Sequence, residues 1–321
     1  MPLAGIAVET LAVLGLIGAW ALSPRLHSFG AAGWAGLAAA GLSVALLASP
    51  WRAPALGALA WSGYVVAADS AVFSLRGRSM IRSGPQAFAW LVILSIFLWL
   101  PFEWYNLRLA GWYRSGMPAG LERYLLLGWS FACIWPALFE TSDLFLALAR
   151  RDAPAAGRGA RPAIPAVLAT VAMGGACLVV PLVVPRLDVG EHLLPLVALG
   201  FLLVLDPLNA TSGGPSLWRD WSNGGRERLG ALAAAGVFCG LLADGVNYPA
   251  DAKWRAITSL GAGLKLFEMP LAGYAACAAF GPQAYAMHGF AARILGRPLA
   301  TVPSGPASAE GSGRGGSVVL H

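Results

Sequence analysis

Residues 87–115, AFAWLVILSIFLWLPFEWYNLRLAGWYRS, decide the fold class. No charged side chain falls between Arg82 and Glu103. A run of about 20 apolar residues crosses the hydrocarbon core of a bilayer as one helix. The run ends on Glu103, Asn106, Trp112 and Arg114. These are a carboxyl, a helix-ending amide and two side chains that favour the membrane interface.

The same order recurs twice. Asp206, Asn209, Trp218 and Arg219 form a second copy, and Asp244, Asn247, Trp254 and Arg255 a third. A carboxylate is expensive in lipid, so its return at the end of an apolar segment needs a physical reason. Two readings stay open. The copies are polar sites, or they are helix stops followed by interfacial anchors.

Working outward, the whole chain has this character. Its 321 residues are 57% hydrophobic and 12% charged, with a mean hydropathy of +0.65. Soluble domains carry about 25% charged residues. The expected fold is therefore all-α, a polytopic membrane bundle of about nine helices. The apolar runs predict them at 3–22, 31–48, 54–75, 87–107, 123–148, 164–185, 192–208, 229–247 and 267–291. The division expected is a three-helix segment over 1–86, a six-helix domain over 87–291, and a Gly/Ser/Pro-rich tail over 292–321 that is disordered or held by a partner. The N-terminus carries Glu9 and no basic stretch, so the first run reads as a retained helix. Nine helices put most of the 22 basic residues on one side. That bias predicts a bacterial cytoplasmic membrane, with the N-terminus outside and the C-terminus in the cytoplasm. The net charge of +6 follows from this loop arginine, and nucleic acid is not an expected partner.

The topology sorts the acidic residues into two groups. Glu103, Asp244 and Glu268 face the outer leaflet, where a protonated carboxyl is a candidate general acid. They are the candidate catalytic residues, with Asn247, Asn106, Lys253, Trp254 and Trp104 as candidate substrate-binding residues. Glu140, Asp143, Asp206 and Asn209 form a second, inner-leaflet cluster. Asp69 and Glu9 stand alone and read as helix-contact residues. The four cysteines, Cys133, Cys177, Cys239 and Cys277, form no CxxC pair, and His288 has no second histidine at ligand spacing. No metal and no cofactor is expected.

The segment Asp244-Gly-Val-Asn-Tyr248, Lys253-Trp254, Leu266-Phe-Glu-Met-Pro-Leu-Ala-Gly-Tyr274 resembles small intramembrane carotenoid enzymes, the heterodimeric-type lycopene cyclases and the carotenoid hydratases. The cyclases carry paired acids where Glu268 stands alone here. Asp206-Pro207 resembles an acidic-Pro pair of the hydratases. Residues 102–290 also resemble an uncharacterised bacterial family of multi-helix membrane proteins with F-E-W-Y-N and F-E-M-P-L motifs. The carotenoid-enzyme resemblance implies acid–base chemistry on an isoprenoid-like lipid. Two alternatives remain. One is an accessory subunit of a membrane complex, meeting partners through its Trp-rich surface and tail. The other is a proton- or cation-coupled transporter, which predicts an inverted repeat. Beyond the three copies, the flanking helices show no similarity in sequence.

Overall fold

The computed structural model describes residues 2–152, 159–183, 193–257 and 264–298. The 299–321 part of the expected tail lies outside the described residues. Nine helices of 18 residues or more are present among the described residues: α1 Pro2–Leu22, α2 Gly30–Leu47, α3 Leu56–Arg76, α5 Pro85–Leu109, α6 Gly120–Leu148, α7 Ile164–Val183, α8 Leu194–Thr211, α10 Glu227–Asn247 and α11 Leu271–Ile294. Two short helices, α4 Met80–Ser83 and α9 Leu217–Ser222, lie between them. Eight of the nine are long and apolar enough to span a membrane, so this is a multi-pass membrane protein. α11 is less apolar because it carries Gln283 and His288, and neighbouring helices bury both. Two four-residue strands were not expected. β1 Trp112–Ser115 pairs antiparallel with β2 Lys253–Ala256, joining two copies of the acidic motif directly.

The fold is duplicated. α2 to α6 and α7 to α11 present the same elements in the same order, β1 and β2 included. The correspondence reaches single residues. Gly36 meets Gly63 where α2 crosses α3, and Gly174 meets Gly200 where α7 crosses α8. Small residues at such crossings let membrane helices approach closely. Asp69 and Asp206 each receive the backbone of a short helix that opens on a serine, Ser79 or Ser216. Pro136 in α6 and Pro282 in α11 each lie 12 residues before the helix end. Both helices then close on a left-handed residue, Arg150 at φ 53° and Gly296 at φ 59°. The next amides, of Arg151 and Arg297, reach back to Leu146 O and Ala292 O at 2.9 and 2.7 Å.

The turn before each proline meets the neighbouring helix in both copies. In α6 the Ser95 hydroxyl donates to Phe131 O and accepts from Trp135 N at 3.1 Å, standing between a helical donor and its acceptor. In α11 the matching atoms, Cys277 O and Gly281 N, lie against Gly236 of α10. A proline cannot hold the preceding turn closed, and Ser95 and Gly236 occupy corresponding places in α5 and α10.

The two repeats run in the same direction across the membrane, because β1 and β2 meet at one end. Their register is itself two-fold: Trp112 pairs with Ala256 as Arg114 pairs with Trp254, about the pair Tyr113–Arg255. This is a parallel repeat, not the inverted one that a transporter reading anticipated. Residue 86, the expected end of the first segment, is the second residue of α5. α1 lies outside both repeats and packs along α10, with Leu3, Leu11 and Leu14 exposed. Between repeats, α6 packs on α10, whose seam is rich in Ala and Gly. On the other side Trp99 and Phe102 of α5 set their rings against Phe280 of α11. Trp135, fully buried, donates its indole N–H to Ala284 O at 2.9 Å and ties α6 to α11.

Candidate functional site

At the sheet end, Asn106, Asn247, Asp244 and Lys253 hold backbone with their side chains. Asn106 donates to Trp112 O at 2.9 Å and accepts from Trp112 N at 3.0 Å. Asn247 does the same with Trp254, at 2.8 and 2.9 Å. Each asparagine side chain thus extends its strand by one pseudo-residue and closes the turn leaving its helix. Glu103 accepts both guanidinium nitrogens of Arg114, at 2.8 and 2.5 Å, and the Trp99 indole N–H at 2.7 Å. Asp244, with no exposed surface, accepts Glu268 N at 3.2 Å, Met269 N at 2.9 Å and the Tyr274 hydroxyl at 2.6 Å. Glu268 lies ahead of α11 and not inside it, between Lys253 at 3.3 Å and Arg255 at 3.4 Å. Trp104 is 56% exposed and points away from this group. Glu9 of α1 lies against Gly245, beside Asp244.

At the opposite end, Asp206 accepts Leu217 N at 2.7 Å, Trp218 N at 2.9 Å and the Ser216 hydroxyl at 3.1 Å. Asn209 donates to Ala286 O at 2.9 Å, locking α8 to α11. Asp206 therefore does not correspond to Glu103 and Asp244. Its partner in the first repeat is Asp69, which accepts Ile81 N at 2.8 Å and faces Arg82 at 4.0 Å. Asp69 is no isolated residue, contrary to expectation. Asp220 pairs with Arg228 at 2.7 Å, both buried. Burial pushes the Asp220 carboxyl above its ordinary range, against the pull of that guanidinium.

Glu140 differs from all of these. It has no exposed surface, and no donor reaches either of its oxygens. The Asp69 and Asp143 carboxyls lie close enough to act on it by charge, so like groups face one another there. Next along α6, Thr141 meets the Tyr64 hydroxyl at 2.6 Å and the Cys239 thiol at 3.3 Å, carrying polar contacts from α3 to α10. Ser142 and Asp143 line a cavity between α6, α10 and α11, closed by Arg228 and Tyr285. Its volume of about 20 Å³ holds roughly one water molecule. The second repeat has Ala286 where the first has Glu140, so the carboxyl pair occurs once.

Glu140, Asp143, Asp206 and Asn209 do lie toward one end, yet only Glu140 and Asp143 share a locality with Asp69. Tyr64, Thr141, Arg228 and Tyr285 were not among the expected site residues, and Asp69 was read as a helix-contact residue. One signal was present: Asp69, Ser79 and Arg82 have the same spacing as Asp206, Ser216 and Arg219. Among the described residues no three His, Cys, Asp or Glu side chains gather as a metal site. No family model, curated protein or solved structure matches this chain.

Proposed function

We propose that this protein is a proton-linked membrane transporter in which Glu140, beside Asp69, takes up and releases a proton. The observation that carries the reading is Glu140, wholly buried in a membrane helix with no donor on either oxygen. Such a group is costly to retain and, within a membrane bundle, marks ion or proton pathways. The duplication is parallel and not the inverted one expected of a transporter, but halves related by an axis along the membrane normal also serve alternating access. The one-water cavity beside Asp143 lies about one helical turn along α6 from Glu140. Its size suits a proton relay and excludes a bulky solute from that space in this conformation. The loop arginine bias supports a bacterial cytoplasmic membrane with the sheet end outside.

Purified full-length protein in liposomes, with a trapped pH dye and an imposed potential, tests the reading. Wild type acidifies the lumen, and Glu140→Gln slows this at least tenfold, as expected for losing a general acid–base group. An unchanged rate in the variant would sink the idea.

A second reading is acid–base chemistry on an isoprenoid or carotenoid-like lipid. Its support is the ring cluster of Trp99, Phe102, Trp112, Phe131 and Phe280 beside Glu103, since aromatic faces stabilise cations in dry sites. In this reading Glu103, Asp244 and Glu268 carry the chemistry. Identical lipid extracts from cells making wild type and Glu268→Gln would remove it.

A further inference from the structure

The duplication allows a comparison of the two repeats at the end away from the sheet, and there they differ in charge. At the end of α6 in the first repeat, basic side chains meet acids, one of them Glu227 of α10 in the second repeat. Arg76 faces Asp152 at 3.7 Å, Arg151 faces Glu227 at 3.1 Å, and Asp143 stands one turn before the end of α6. In the second repeat the positions matching Asp143 and Asp152 are Gly289 and Pro298, while Ala147 is replaced by Arg293. Arg297 matches Arg151. Both acids have gone and a cation has been gained.

These two arginines line one cavity. Its walls are the turn over residues 212–215, Gly289, Arg293 and Arg297, and its volume is about 290 Å³. That is near the lower bound for small-ligand sites. Gly213 turns the chain at φ 80°, and the Arg293 stem runs against Gly214. Arg297 lies 3.8 Å above the Trp90 ring, which fixes its guanidinium near the start of α5. No carboxylate pairs with Arg293 or Arg297 among the described residues. The cavity lies beside the C-terminal ends of α8 and α11.

We infer that this cavity binds the phosphate of an anionic phospholipid, held by Arg293 and Arg297. Planar guanidinium groups match phosphate oxygens in pairs, and a tryptophan beneath one of them is typical of the interface. The inference is independent of proton transport.

The test uses the full chain purified in detergent, with melting followed as lipid is added. Phosphatidylglycerol is expected to raise Tm by about 2–4 °C, and phosphatidylcholine is not. Arg293→Gln with Arg297→Gln should abolish the shift, while Arg151→Gln, at the matching place in the first repeat, should keep it. If the double variant does not fold, Arg293→Gln alone, on an exposed helix face, should lose most of the shift. An equal shift in wild type and variants, or none in wild type, overturns the inference. So does an equal effect from inorganic phosphate, which would make the ligand a soluble anion.

Discussion

The acidic and amide side chains at the sheet end act mainly on backbone. Asn106 and Asn247 each satisfy one N–H and one C=O that a strand edge would otherwise leave unpaired. Replacing Asn247 with Ala leaves both Trp254 groups without partners in a half-buried place. The expected loss is about 1–3 kcal/mol, read as a lower midpoint in chemical or thermal unfolding. Asn247→Asp keeps an acceptor but sets a carboxylate against Trp254 O, so it should not restore the wild-type midpoint. A wild-type midpoint in Asn247→Ala would show that the turn holds without its amide.

These residues were legible in the sequence as a repeated pattern, because carboxyl, amide, tryptophan and arginine at a helix exit are rare enough to stand out. Their grouping was not. Asp206 was matched with Glu103 and Asp244 because Asn209 follows it by three residues. In space Asn209 belongs to the α8–α11 contact, and Asp206 matches Asp69, which has Val72 three residues on. What the two aspartates share is the distance to a serine-led short helix, a relation set by loop length and not by helical periodicity.

At the level of elements, the helices were readable because a bilayer demands a minimum apolar length. The strands were not. Four residues carry too little alternation to announce a strand, and their partner lies more than a hundred residues away in sequence. Helix crossings divide the repeats in a testable way. A Cβ at Gly63 would stand 2.6 Å from Gly36 O and 2.7 Å from Ala40 N, both backbone. At Gly200 its nearest neighbours are side-chain atoms of Leu178, which can move. Gly63→Ala should therefore destabilise by about 1–3 kcal/mol and Gly200→Ala by less. Equal midpoints for the two variants would contradict the close approach of α2 and α3.

At the scale of the whole molecule, the two repeats keep their backbone devices and exchange their chemistry. The glycine crossings, the serine-led short helices, the prolines and the asparagine turns recur. Glu140 has become Ala286, and acids beside Arg151 have no counterpart beside Arg297. Sequence similarity is concentrated at a few constrained positions, which is why the duplication is plain in space and faint in sequence. If the repeats are true units, fragments 1–155 and 156–321 should co-purify when coexpressed, joined by the α6–α10 seam and the β1–β2 pair. Recovery of either fragment only alone would argue against that.

Glu140 puts a proton site in one repeat and not in the other. Proton flux in liposomes, compared among wild type, Glu140→Gln, Asp69→Asn and Asp206→Asn at matched folded protein, tests it most directly. Flux is expected to be lost in Glu140→Gln and Asp69→Asn and retained in Asp206→Asn, the matching position of the second repeat. Wild-type flux in Glu140→Gln, or no flux in the wild-type protein, would contradict it.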